Sequence, residues 1–373
     1  MKTDLRVPFV PVSGPRSRDV ITVQGQTVME GRIKAIGLVS GGLDSTLAVA
    51  VLKRQGIEML GIHFLNGFSS GMLQRLALAR DEERERQAQT AQELSEILGI
   101  PVEVIDVSEE YLGLLLAPRH GYGANVNPCI DCRIFMLKKA KVRMEREGAH
   151  FIFTGEVLGQ RPMSQHRQAM ELVERRSGLK DLLVRPLCAK LLKPSLPERE
   201  GWVRREELLD IQGRSRRRQI ELAAGLGITD YAQPAGGCTL TDDNYARRFR
   251  DLVGSREPPS VTREETVLLS IGRHLRINRN VKIVVGRDKG ENMYLERYWS
   301  DSPLATTIDY PGPTTLIQGD PSGEDIVLAA SITARYSDAK RQPQVRVVVR
   351  KDGTEEILTV IPAGDDEIGR YRI

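Results

Sequence analysis

Lys34-Ala35-Ile36-Gly37-Leu38-Val39-Ser40-Gly41-Gly42-Leu43-Asp44-Ser45 decides how this 373-residue chain is read. Lys34–Val39 is an apolar, strand-like run. Leu43, Leu47, Val51 and Leu52 then recur at helical spacing, so an amphipathic helix is expected through about Gln55. Ser40–Ser45 thus sits at a strand-to-helix turn, where an α/β sheet places its ligand crevice. Adjacent glycines let the backbone turn tightly and approach an anion closely. The free amides of the helix start, with Ser40 and Ser45, can hold phosphate oxygens. The string lacks the Gly-Lys-Ser/Thr of the Walker loop and the Gly-x-Gly-x-x-Gly of dinucleotide folds. Asp44 among phosphate oxygens would be repulsive without a bridging divalent cation, which implies Mg²⁺.

Outward from this turn, strands and helices alternate. Glu58–Leu65, Val102–Val107, Phe151–Thr154 and Leu182–Arg185 read as strands. Helical stretches are expected at about Asp81–Leu98, Arg133–Arg146, Ser164–Arg175 and Arg204–Gly227. This order predicts an α/β fold with a mainly parallel sheet covered on both faces. Residues 1–33 read as an irregular arm broken by Pro8, Pro11 and Pro15, with a short strand within Val20–Val28. Gly254–Ser260 reads as a linker between a body of residues 34–253 and a smaller α+β domain of residues 262–373. In that domain Val281–Val285, Met293–Glu296, Thr314–Gln318 and Val345–Val349 read as strands, and Asp325–Ser337 as a helix.

Composition excludes several classes. The chain is 40% hydrophobic and 28% charged, as globular proteins are, and too long for one core. No run of about 18 apolar residues marks a membrane span, and the first 33 residues lack the apolar core of an export signal. A cytoplasmic, multidomain protein is expected. Its 54 Lys+Arg and 50 Asp+Glu leave a net charge of only +4. Basic residues cluster locally at 199–218 and 263–289, each read either as a solvated face or as a phosphate-backbone footprint.

Four cysteines are too few for a disulfide scaffold. Asn127-Pro128-Cys129-Ile130-Asp131-Cys132 places two thiols three apart just before the expected helix, whose start should lower thiol pKa. Cys238 lies in the loop Pro234-Ala235-Gly236-Gly237-Cys238-Thr239-Leu240. Three thiolates on a four-iron cluster would leave one iron open for chemistry. A zinc site completed by Cys188 or a His, and unrelated buried thiols, remain alternatives. Cys188 itself reads as a buried small hydrophobe.

Ser-Gly-Gly-Leu-Asp-Ser resembles the PP-loop of ATP pyrophosphatases (adenine nucleotide alpha hydrolase-like), which cleave ATP between the α and β phosphates and adenylate an oxygen. Thr154-Gly155-Glu156-Val157-Leu158-Gly159-Gln160, followed by Ser164-Gln165, and the strand end Arg185-Pro186-Leu187 resemble tRNA 4-thiouridine synthetases of the ThiI type. One extra residue separates Gln160 from Ser164 relative to that pattern. The resemblance implies ATP contacts at Leu38, Val39, Ser40, Gly41, Gly42, Asp44, Ser45, His63, Phe64, Arg133, Gly155 and Gln165. It implies Cys238 as the catalytic thiol. Cys129 and Cys132 resemble the paired cysteines of an iron–sulfur-dependent branch shared with 2-thiouridine enzymes, so Cys129, Cys132 and Cys238 are expected to ligate a [4Fe-4S] cluster. That family's N-terminal THUMP module and its rhodanese-like domain have no counterpart in this sequence. Residues 262–373 instead resemble an NFACT-R-type RNA-binding module, through Val285–Asn292 and Ala329–Lys340.

These readings imply an ATP-dependent tRNA sulfurtransferase. It would use ATP, Mg²⁺ near Asp44, tRNA, and sulfur from a cysteine desulfurase or free sulfide. Sulfur would travel on the open iron of the cluster, or on a Cys238 persulfide resolved by Cys132. A PP-loop ligase or thiolase acting on a small molecule, and an RNA-binding factor with a regulatory nucleotide site, are the competing expectations. The particular uridine, the oxygen exchanged and the oligomeric state stay open, a homodimer being one candidate.

Overall fold

The computed structural model describes residues 20–23, 26–29, 32–69, 83–231, 237–298 and 300–373, with backbone alone for 20–29 and 83–84. The proline-rich start of the arm, the expected helix start at Asp81 and Pro234-Ala235-Gly236 lie outside these residues. Strands β1 (Val20–Val23) and β2 (Gln26–Met29) pair antiparallel as a hairpin.

The body is a five-stranded parallel sheet. Its strands are β3 (Lys34–Leu38), β4 (Glu58–Leu65), β5 (Val102–Asp106), β6 (Phe151–Thr154) and β7 (Leu183–Val184), in the order β5-β4-β3-β6-β7. Helices α1 (Leu43–Lys53), α2 (Glu83–Leu98), α3 (Ser108–Leu116), α4 (Cys129–Arg146) and α5 (Arg167–Ser177) connect them. Because both faces are covered, the central strands carry side chains into two cores. Ala35, Phe151 and Phe153 join Leu47 and Leu52 of α1 in one core; Ile36, Ile62 and Ile152 join Leu137 of α4 in the other. The α/β architecture expected from the alternation is the one observed.

Three local expectations need correction. Helix α4 begins at Cys129 rather than Arg133, so both thiols of the pair form its first turn. The stretch Arg204–Gly227 is not one helix. It holds a 3₁₀ turn at Arg205–Glu207 and, after the short α6 (Leu196–Arg199), the helix α7 (Arg217–Gly225). Met293–Glu296 is not a strand: it falls at the end of α10 (Lys289–Leu295), after α8 (Asp243–Gly254) and α9 (Arg263–Leu268). Asp288 caps α10 by accepting from the Glu291 amide at 3.0 Å, and this local cap outweighs the strand preference of the apolar residues.

A second, six-stranded antiparallel sheet is built from β8 (Arg273–Arg276), β9 (Val281–Val285), β10 (Leu304–Thr307), β11 (Thr315–Gly319), β12 (Val345–Lys351) and β13 (Thr354–Val360). Its order is β13-β12-β10-β11-β9-β8. Helix α11 (Gly323–Arg335) packs on one face through Ala329, Ala330 and Ile332, and α12 (Asp365–Tyr371) adds Ile368. Residues Val284, Leu304 and Leu316 instead enter a cluster with Phe68, Tyr111, Tyr245 and Phe249 of the body. Cys132 and Cys238 pack against that same cluster. The thiols therefore sit where the parallel-sheet body meets the antiparallel sheet.

Candidate active site

The turn after β3 is shaped as its sequence requires. Gly41 holds φ = +69°, a left-handed conformation that costs other residues strain. Gly42 occupies the N-cap position of α1 without a side-chain cap, so the helix's first amides remain open to an anion. Ser45 donates from Oγ to the Gly42 carbonyl at 2.9 Å and accepts from the Ser40 amide at 3.3 Å.

Asp44 is held from outside its own helix. Gln160 donates to it at 2.6 Å, Gln219 of α7 at 3.4 Å, and the Arg216 guanidinium lies 3.8 Å away. Gln219 is fully buried and also donates to Gln160 at 3.0 Å. Neither Arg216 nor Gln219 was singled out from sequence: Arg216 read as part of a solvated or RNA-facing arginine run, and an isolated helical Gln carries no signal. Behind the loop, a Cβ on Gly155 would lie 2.5 Å from the Asp44 carbonyl oxygen and 2.7 Å from the Ser45 amide. Only glycine lets the end of β6 pass there.

The remaining nucleotide candidates divide. His63 contacts the Val39 carbonyl at 3.0 Å through Nδ1, which must therefore carry the proton. Burial lowers its pKa, only partly offset by that bond, so the ring is neutral. Leu38 and Phe64 belong to the inner core with Ile36 and Ile62, so Phe64 faces packing rather than open space. Gln165 is buried, and its Oε1 finds no partner among the described residues. That orphaned acceptor suits an amine donor such as the exocyclic nitrogen of adenine.

From Gly155 the chain leads to the thiols. Glu156 is buried, 3.1 Å from Arg185 and 3.4 Å from Arg133. Burial works to raise its pKa, but the two guanidiniums, with hydrogen bonds from Arg185 and Thr154, prevail and hold it below the usual range. Arg185 also pairs with Glu174 at 2.8 Å. Arg133 directly follows Cys132 on α4.

Cys238 reaches this end of the sheet through backbone pairing. It bridges Ser69, the Thr239 amide bonds the Phe68 carbonyl at 2.9 Å, and the Val126 amide bonds the Leu240 carbonyl at 3.2 Å. Cys129, Cys132 and Cys238 are half-buried and act electrostatically on one another and on the Tyr111 hydroxyl. The expected lowering of thiol pKa at the helix start is not found. Burial raises all three, Cys238 to about 12, against the opposing charge of Arg161 on each and of Arg133 on Cys129 and Cys132. Desolvation outweighs the partial charge of an exposed helix end. Cys188 is buried and donates from Sγ to the Glu156 carbonyl at 3.3 Å, the structural role expected.

Among the described residues, no three His, Cys, Asp or Glu side chains are gathered closely enough to hold one metal ion. The thiol trio therefore does not close on a single ion, and this arrangement does not show the expected iron–sulfur cluster. Asp44 offers one carboxylate, which fits Mg²⁺ as an ion shared with phosphate oxygens and water. No helix among the described residues is long and apolar enough to cross a membrane.

Residues 33–181 match the family model of the tRNA methyl transferase HUP domain, and residues 272–372 that of the NFACT protein RNA binding domain. The tRNA-specific 2-thiouridylase MnmA 1 of Caldanaerobacter subterraneus subsp. tengcongensis is 22% identical over 353 residues, 91% of this chain and 90% of the relative. The tRNA-specific 2-thiouridylase MnmA of Listeria monocytogenes is 24% identical over 353 residues, 88% of each. A solved 4-thiouridine synthetase–RNA complex with bound ATP overlaps at TM-score 0.33 and 20% identity. That overlap covers 55% of this chain and 46% of that one, too loose to bear on function.

Proposed function

We propose, from the premise that residues 33–181 form a PP-loop domain of the HUP class and residues 272–372 an NFACT-type RNA-binding domain, that this chain is an ATP-dependent tRNA sulfurtransferase. Relatives matched over about nine-tenths of the chain are tRNA-specific 2-thiouridylases. The observation that supports the reading most is the short path Asp44–Gly155–Glu156–Arg133, which links the phosphate loop to the helix of Cys129 and Cys132 along one wall.

The chemistry follows from that wall. A uridine carbonyl oxygen is a poor leaving group. Adenylation by attack on the α-phosphate of ATP releases pyrophosphate and makes AMP the leaving group. The amides of α1, Ser40 and Ser45 hold the departing phosphates, Arg133 and Arg216 offset developing negative charge, and Gln165 accepts from the adenine amine. Mg²⁺, when bound at Asp44, supplies further charge neutralisation.

For sulfur delivery the persulfide route is favoured because it needs only groups this chain supplies, Cys238 to carry the sulfur and Cys132 to resolve it. A donor places a sulfane sulfur on Cys238. The terminal sulfur attacks the activated carbon and AMP departs. Cys132 then attacks the Cys238 sulfur, releasing the thiolated base and leaving a Cys132–Cys238 disulfide, which an external dithiol must reduce.

The test is to incubate the protein with ATP, unmodified tRNA, a persulfide donor and a dithiol, and to measure thiouridine by mass spectrometry alongside pyrophosphate. Both products are expected. Pyrophosphate without thiouridine would point to a small-molecule acceptor, and neither product to an RNA-binding factor. Full activity in iron-free protein is expected; activity that appears only after anaerobic reconstitution with iron and sulfide restores the cluster route.

A further inference from the structure

The loop preceding the thiol helix carries an aromatic side chain that packing does not explain. Tyr122 is 41% exposed, yet its ring is fixed because the hydroxyl donates to the Leu115 carbonyl at 2.5 Å. Its neighbour Gly123 bonds the Asn127 carbonyl at 2.8 Å, two residues before Cys129. Asn125 of the same loop donates to Asp243 at 2.7 Å and to the Thr241 carbonyl at 2.9 Å, tying the loop to the start of α8. A held, exposed ring therefore stands at the edge of the thiol site.

A cation acts on this ring, and a thioether packs on the loop that carries it. Arg250 of α8 is exposed and acts electrostatically on the Tyr122 hydroxyl. The turn that carries the extra residue noted in the sequence packs on the same loop. Gln160 anchors this turn to Asp44, and Met163 lies over Gly123, where an added Cβ would be 3.2 Å from Met163 Cγ. Met163 is 42% exposed. Between those anchors, Arg161 is exposed and within electrostatic reach of Cys129 and Arg216. Neither Arg161 nor Arg250 forms an ion pair among the described residues. A held aromatic face, with unpaired guanidiniums on the neighbouring helix and turn, suits an unstacked base and the phosphodiesters that adjoin it.

We propose that Tyr122 is a stacking platform for an unpaired nucleotide of the RNA strand, with Arg161 and Arg250 gripping the phosphates that flank it. The proposal rests on the RNA-substrate reading and deepens it: the substrate enters as a splayed single strand, not as a duplex. Tyr122 acts in binding and positioning, ahead of any chemistry.

The experiment measures affinity of the full chain for a short RNA hairpin with an unpaired loop and for a blunt RNA duplex of equal length. Tyr122→Ala is expected to weaken hairpin binding about ten-fold or more while duplex binding changes less than two-fold. Tyr122→Phe keeps the ring and should bind the hairpin nearly as the wild type does. Arg161→Gln and Arg250→Gln should each reduce the salt dependence of hairpin binding by about one counterion. Circular dichroism checks that each variant is folded. Equal hairpin affinity for Tyr122→Ala and wild type overturns the platform, as does an equal loss on hairpin and duplex. A wild-type chain that binds neither RNA overturns the RNA-substrate reading itself, an outcome distinct from failure of the platform alone.

Discussion

Arg133 lies 3.4 Å from Glu156, joining the helix that carries Cys129 and Cys132 to the strand end that touches the phosphate loop. One residue before Arg133 is a thiol; one residue before Glu156 is the glycine packed on Asp44. This contact, with Arg185 on the other carboxylate oxygen, ties the two halves of the site together.

Removing the carboxylate should therefore be costly. Glu156→Gln leaves Arg185 with Glu174 alone and Arg133 with no carboxylate there, and a broken buried pair costs about 3–5 kcal/mol. The folded pKa of Glu156 is depressed, so the wild-type advantage is full above the unfolded carboxylate pKa. That advantage is lost as pH falls through the folded value. Urea unfolding at pH 7 and at about pH 3 should show the wild-type–variant gap shrink at the lower pH; a constant gap argues against the ion pair.

Gly155→Ala tests the close approach. Its Cβ would overlap the Asp44 carbonyl and the Ser45 amide, so the loop must shift. Overpacking of this kind costs about 1–3 kcal/mol. Pyrophosphate release should fall much further than stability does, because the displaced groups are the ones proposed to hold phosphate. Unchanged release would separate Gly155 from the nucleotide site.

Asp44→Asn keeps the shape and the hydrogen-bond capacity toward Gln160 but removes the charge. Pyrophosphate release is expected to drop about 10²-fold or more, in the range seen when a transition-state electrostatic partner is removed. Titration with Mg²⁺ should show a raised requirement. A variant with wild-type release and wild-type Mg²⁺ dependence would remove Asp44 from the mechanism.

The thiols should separate the half-reactions. Cys238→Ser and Cys132→Ser should abolish thiouridine while pyrophosphate release continues. Cys188→Ser, at a side chain that only donates to a backbone carbonyl, should keep turnover within about two-fold. Loss of activity in Cys188→Ser comparable to that in Cys238→Ser would overturn this division.

Burial also predicts a pH profile. With its pKa near 12, Cys238 is almost entirely a neutral thiol at pH 7, and its thiolate fraction grows about ten-fold per pH unit below that value. Alkylation of Cys238 by iodoacetamide in the free protein should keep rising from about pH 7 to pH 10. A plateau near pH 8 would mean that Arg161 outweighs burial.

The order of apolar runs along the chain was enough to specify the parallel sheet, since strand and helix periodicity are local properties of neighbouring residues. Ser40–Ser45, Gly155 and the three thiols were equally legible, because tight turns and nucleophiles each demand particular residue types. What only the folded chain decided was which distant groups meet. Gln219 and Arg216 reach Asp44 from a helix more than 170 positions away, and Cys238 joins Cys129 and Cys132 through pairing with residues 68 and 69. Thiol acidity was misjudged for the same reason. Sequence shows a helix start, which lowers pKa, whereas desolvation is set by distant segments packing around the thiols, Tyr111 among them, and that burial exists only in three dimensions.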